Sequence, residues 1–190
     1  MSKKTKKLAS AAILTAAALI IFIIEAQFPL PVPIPGVKLG LANIITLFAL
    51  FYKSKKTQIN NTESLSRNKK DKKYLFSNLD VFSILLCRIA SGALFTGRLI
   101  VFAYSLTGGL FGFIAQILIK RVVSEKQIWV CGAVGGIFHN VGQILAAVVI
   151  TGTPAIIGYL PVLIITGIMT GILTGFIAQI VIERISKNNA

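Results

Sequence analysis

The stretch IWVCGAVGGIFHNVGQILAAVVI, residues 128–150, decides the fold. It is almost wholly apolar over a length that crosses a bilayer as a helix, for which ~20 residues suffice. Its middle nevertheless holds His139, Asn140 and Gln143. On a helix, His139 and Gln143 are four residues apart and Asn140 and Gln143 three, so the polar groups share one sector. Gly132 and Gly136 continue that stripe from Asn140 at four-residue spacing. Polar side chains at mid-membrane are costly unless they face other helices or a cavity. The rest of the chain is therefore read as what surrounds this sector.

The chain has 190 residues, 55% of them hydrophobic, with mean hydropathy +0.80. Several apolar runs reach spanning length, and the ~10-residue alternation of a membrane β-barrel is absent. The expected fold class is an all-α polytopic membrane protein with about six transmembrane helices. A formal charge of +14 invites a nucleic-acid reading, but the positions of the charges oppose it. The lysines cluster before the first apolar run and in the polar segment after residue 52, with more in the short link around Lys120, Arg121 and Lys126 and in the tail. That is the positive-inside pattern, and it brings contact with anionic lipid headgroups. No nucleic-acid partner is expected. Cys87 and Cys131 lie inside apolar runs and read as small buried residues.

Residues 8–24 follow a lysine-rich start and read as a first spanning helix, since a signal-peptide cleavage pattern is missing after them. Its Ala9, Ala12 and Ala16 form a small-residue face that another helix can approach. Residues 25–38 carry Pro29, Pro31, Pro33 and Pro35 and read as a stiff external loop or cap. A short helix over 39–52 comes next. Residues 53–78 are polar and basic, a cytoplasmic linker between two groups of helices. Further spans are expected at 79–97, 99–119, 128–150 and 156–182, the last with a glycine ridge at Gly167, Gly171 and Gly175. Six spans put both termini and every strongly basic segment in the cytoplasm.

The polar groups left within or beside the external half of the spans are Glu25, Lys38, Asn43, Arg88, Arg98, Gln116, His139, Asn140 and Gln143. Intramembrane charges usually face a bundle interior or a pathway. The candidate substrate-binding set is Arg88, His139, Asn140, Gln143, Lys38, Asn43 and Arg98: the cations for an anionic or zwitterionic solute, the amides and imidazole for directional hydrogen bonds. The plainer alternative is that Lys38 and Arg98 snorkel, that Glu25 pairs with one of them, and that His139 and Asn140 tie helices together. No catalytic residues, metal site or cofactor are expected. The chain has no GxxxxGK[ST] phosphate loop and no aspartate cluster for Mg²⁺, and one histidine with six scattered acids makes no nucleophile–base arrangement.

PVPIPGVKLGLANIITL (31–47) and GGIFHNVGQ (135–143), with RIASGALFTG (88–97) and SLTGGL (105–110), resemble a known family. It is that of the Gx transporters, also labelled heptaprenyl diphosphate synthase component I. That family in turn is similar to the substrate-binding S components of energy-coupling factor (ECF) transporters. The resemblance implies a six-helix subunit of a bacterial-type plasma membrane that binds a solute from outside. It also implies docking through the alanine face of the first helix, here Ala9, Ala12 and Ala16, onto a coupling protein with two ATPases. The synthase label implies instead a membrane accessory subunit of prenyl diphosphate synthesis, since the aspartate-rich motifs of a chain-elongating enzyme are missing. A self-sufficient ion-coupled carrier is a third reading, weakened by the lack of a mid-membrane carboxylate.

Overall fold

The computed structural model describes residues 3–27, 38–52 and 74–187. Most of the proline-rich loop and most of the basic linker lie outside these residues. The described chain is all-α: α1 (Lys3–Glu25), α2 (Asn43–Phe51), α3 (Asn78–Thr96), α4 (Leu99–Lys120), α5 (Ile128–Thr151) and α6 (Leu160–Lys187). All but α2 are long and apolar enough to cross a membrane. The protein is a polytopic membrane bundle.

Local sequence sets the helix ends. Ser77 opens α3 with a capping box, its hydroxyl accepting from the Asp80 amide while the Asp80 carboxylate accepts from the Ser77 amide. α3 stops at Gly97 and α5 at Gly152, both in the left-handed region with φ of 62° and 63°. Pro154 starts a short 3₁₀ turn, Pro154–Tyr159, that leads into α6.

The helices alternate in direction. Lys7 near the start of α1 pairs with Asp80 near the start of α3. Lys120, closing α4, donates to the Leu50 carbonyl at the end of α2 at 2.6 Å. The Leu75 amide donates to the Tyr52 carbonyl at 2.8 Å, so the chain leaves α2 and returns towards α3 at one place. The first and last helices therefore have their outer ends at the same end of the bundle.

α2 is nine residues long and spans about 13 Å, less than half the ~30 Å hydrocarbon core. It lies inside the bundle, touching α1, α3, α4, α5 and α6. Leu47 and Leu50 are wholly buried and Phe51 nearly so. Residues 39–42, expected to be helical, are instead an irregular stretch and a turn, because Gly40 takes φ 81°.

α5 and α6 meet backbone to backbone. A Cβ on Gly132 would collide with the Gly171 carbonyl, one on Gly136 with the Gly167 carbonyl, and one on Gly175 with the Trp129 backbone. Close approach of small residues is how membrane helices gain dispersion contact without a hydrophobic driving force. α1 is held differently, by side chains: the Phe22 ring lies in the space over Gly92 of α3, where a Cβ would come within 2.9 Å of its Cζ.

Gly136→Val or Gly171→Val should force α5 from α6 and cost at least the ~1–3 kcal/mol of ordinary overpacking. Gly158→Ala, with no atom within 4 Å of the added Cβ, should stay within ~0.5 kcal/mol of the parent. Thermal midpoints of the three variants in one detergent check this. Equal midpoints would show that the glycine seam does not hold the bundle.

Candidate functional site

The polar residues of five helices and of the segment before α2 come together at one level of the bundle. Arg88, midway along α3, is 5% exposed, and its Nη1 donates to Asn43 Oδ1 at 3.4 Å. Asn43 is the first residue of α2, so the start of that helix is fixed beside the guanidinium. A Cβ on Gly40 would stand 3.0 Å from Asn43 Nδ2 and 3.0 Å from His139 Nε2, which ties α2 to α5 through the turn. His139 Nε2 is 3.0 Å from Gln143 Nε2, and Gln143 Oε1 accepts from the Lys38 amide at 3.2 Å.

The tautomer of His139 follows from that arrangement. Gln143 Oε1 is engaged as an acceptor, so its NH₂ group faces the imidazole. His139 Nε2 then accepts, and the ring proton is on Nδ1. The ring is neutral in this arrangement, since an imidazolium would set N–H against N–H.

Three elements pin residues 38–40. Besides Gln143 on α5, Glu25 at the end of α1 accepts from the Gly40 amide at 2.5 Å. Thr170 on α6 donates to the Leu39 carbonyl at 3.4 Å. Glu25 is 4% exposed and close enough to Arg88 and Lys38 for electrostatic coupling, but forms a direct ion pair with neither. Lys38 Nζ sits over the Phe22 ring, 3.2 Å from its centroid. Burial pushes the Lys38 ammonium down to about 8, with Glu25 pulling it up and Arg88 adding to the depression.

α4 contributes space. Gly108 and Gly112 lie against His139 and Gln143, where Cβ atoms would come within 3.0 Å of His139 Cε1 and 2.9 Å of Gln143 Cγ, and within 3.3 Å of His139 Cβ. Gly109 lies next to the Arg88 guanidinium, 3.6 Å from Nη2. The sequence marked Ser105–Leu110 only as a family motif, and the use of its glycines shows once their neighbours are known. Gly40 is another residue whose part was not assigned. Glu25 was read as a pairing partner of Lys38 or Arg98, but its hydrogen-bond partner is a backbone amide, which carries no residue-type signal.

Two of the candidate residues stand apart. Asn140 is fully buried but turns towards α6, donating to the Leu163 carbonyl. Arg98 is exposed at the link between α3 and α4, carried outward by the left-handed turn at Gly97. Among the described residues several buried polar atoms in the cluster have no hydrogen-bond partner: Lys38 Nζ and Arg88 Nε, with Asn140 Oδ1 on the α6 side, while His139 Nδ1 has the Gly108 backbone beside it. Among the described residues no three His, Cys, Asp or Glu lie together as a metal site would require. A separate groove of about 350 Å³ between α4 and α5, lined by Phe111, Ile114, Leu118, Val134 and Phe138, is apolar.

The family described as heptaprenyl diphosphate synthase component I matches residues 14–60 and 72–181, more than half the chain, and the chain belongs to that family. The match includes Arg88, His139 and Gln143, and the unmatched residues 61–71 fall in the basic linker. No curated protein and no solved structure matches the chain.

Gln143→Leu removes the acceptor for the Lys38 amide and the partner of His139. Leaving such groups unsatisfied in the interior should cost about 1–3 kcal/mol. Hydrogen exchange at the amides of residues 38–40 should quicken in the same variant while α6 keeps its protection. Unchanged exchange at 38–40 would show that Gln143 does not hold the segment.

Proposed function

We propose that this member of the heptaprenyl diphosphate synthase component I family is a non-catalytic membrane subunit that binds a small anionic or zwitterionic solute. The observation that carries the reading is the pair of buried cationic donors, Lys38 Nζ and Arg88 Nε, that have no hydrogen-bond acceptor among the described residues. Buried polar groups are nearly always hydrogen-bonded, and unmet donors at such depth fit a missing ligand. Lys38 and Arg88 attract the negative group, and Asn43, His139 and Gln143 orient it. Asn140 braces α5 against α6 behind them. Arg98 stands at the same end of the bundle as the cluster and draws anions towards it.

In this reading the basic segments and both termini face the cytoplasm, and the cluster faces outward. The transport partner is an ECF-type coupling protein with its ATPases, since the chain has no phosphate-binding loop of its own. Ala9, Ala12 and Ala16 are exposed on α1, whose bundle contacts are made by its other face to α2 and α3. That leaves a small-residue surface open to a partner helix.

A second reading is favoured by the family's own description: a membrane accessory subunit of heptaprenyl diphosphate synthesis. Both readings place the chain in the membrane beside a partner. Gentle purification followed by native mass spectrometry separates them. Co-purified ATPases and a coupling protein are expected. A soluble prenyl synthase in their place would transfer the assignment to the second reading. Arg88→Ala should also lower solute retention at least tenfold, and retention equal to the parent in both Arg88→Ala and His139→Ala would refute the site.

A further inference from the structure

The cluster has a countable charge. Among the described residues, the charged side chains that meet there are Glu25 from α1, Lys38 before α2 and Arg88 from α3. His139 on α5 is neutral by its hydrogen bond with Gln143. α4 faces the cluster with glycines and α6 with Thr170. Residues 28–37, FPLPVPIPGV, contain no ionisable side chain. The hydrogen bond from the Gly40 amide and the nearby Arg88 and Lys38 hold Glu25 as a carboxylate against its burial, so two cations and one carboxylate leave one net positive charge, held where little water reaches.

The directions of the open hydrogen bonds add a second constraint. Among the described residues, Arg88 Nε and Lys38 Nζ are donors without hydrogen-bond acceptors, Lys38 resting only on the Phe22 ring, while the proton on His139 Nδ1 has the Gly108 backbone as its neighbour. Glu25 has one oxygen committed to the Gly40 amide. The cluster thus offers donors and asks for an acceptor.

Uncompensated charge in a low-dielectric interior is strongly unfavourable, and a ligand that brings the total to zero is favoured over one that overshoots or falls short. We infer that the cluster selects a solute carrying one net negative charge, a carboxylate whose oxygens accept from Lys38 Nζ and Arg88 Nε, and that Glu25 sets this charge preference. This rests on the solute-binding reading above and narrows it. A diphosphate, with two or more negative charges, mismatches the site, and so does a zwitterion of zero net charge.

The experiment uses the full chain, purified in mild detergent from its host membrane at pH 7. Small molecules released on denaturation are identified by mass spectrometry, beside an unrelated membrane protein handled in parallel. The parent chain should release a monocarboxylate. Arg88→Met should release at least tenfold less of it. Glu25→Gln keeps an acceptor for the Gly40 amide while raising the site by one charge. Its released pool should shift towards doubly charged anions. The Lys38 ammonium gives an independent check. Protonated below about 8 and neutral above it, it should hold the solute at pH 7 and release it as pH rises, by up to tenfold per unit. A parent pool consisting of a dianion, a diphosphate, a zwitterion or a neutral compound overturns the charge preference and leaves solute binding intact. An unshifted pool in Glu25→Gln, or retention flat from pH 7 to pH 9.5, also overturns it. Nothing retained above the parallel protein overturns both the preference and the binding reading.

Discussion

A guanidinium held midway along a membrane-spanning helix, 5% exposed, is the constraint on which the surrounding structure depends. In a bilayer interior no water is available to solvate Arg88, so protein must supply both charge and acceptors. Asn43 supplies an acceptor, which requires α2 to begin at the level of Arg88, not at the membrane edge. Glu25 supplies the opposite charge, which requires α1 to end at the same level. The short link must then turn sharply into α2, and Gly40 with φ 81° makes that turn. The half-length of α2, the left-handed glycine and the buried carboxylate are three consequences of one charge.

The glycines on three helices answer a second demand. A cluster containing an arginine, an imidazole and two amides has width, yet the helices must still touch to keep lipid and water out. α4 meets the demand by presenting Gly108, Gly109 and Gly112 where side chains from α3 and α5 need room. α5 and α6 meet it on the opposite side by removing side chains from their seam altogether. Asn140 crosses that seam to the Leu163 carbonyl, next to Gly167, where a Cβ would stand 2.8 Å from its Nδ2. It braces the wall behind His139 and Gln143.

Much of this was legible in the sequence, and what was not has physical reasons. Run length and hydropathy reveal helices because the bilayer leaves few alternatives, so the class of fold followed directly. His139 and Gln143 were readable as a pair because their four-residue spacing fixes their geometry whatever the tertiary structure. Asn140 shares their sector only loosely: it is one residue, or about 100°, round from His139, enough to meet a different neighbour. Arg98 looked like a third cation of the site, but the conformation of Gly97 directs it outward, and sequence spacing does not register a change of backbone direction. The start of α2 was placed too early because LGLAN is apolar, and only the hydrogen bonds of residues 38–40 to three different helices reveal it as non-helical. Long-range partners of backbone amides leave no trace in residue type.

The two kinds of helix contact also divide the bundle mechanically. α5 and α6 are joined by backbone atoms with no rotamers to change, so that hairpin moves as one body or not at all. α1 is joined to α3 by the Phe22 ring over Gly92 and by the Lys7–Asp80 ion pair, both of which can re-form after a small displacement. The segment at 38–40 depends on single hydrogen bonds to Glu25, Gln143 and Thr170. Two of these three donors and acceptors belong to the rigid hairpin, and the third belongs to α1. A displacement of α1 would therefore act on the Gly40 amide and on the charge balance around Arg88 together. If α1 also carries the partner-facing alanines, as proposed, then the helix that meets the partner is the helix that supplies the one carboxylate of the site among the described residues. Docking and affinity would be linked through Glu25, with α5 and α6 as the fixed frame against which α1 shifts.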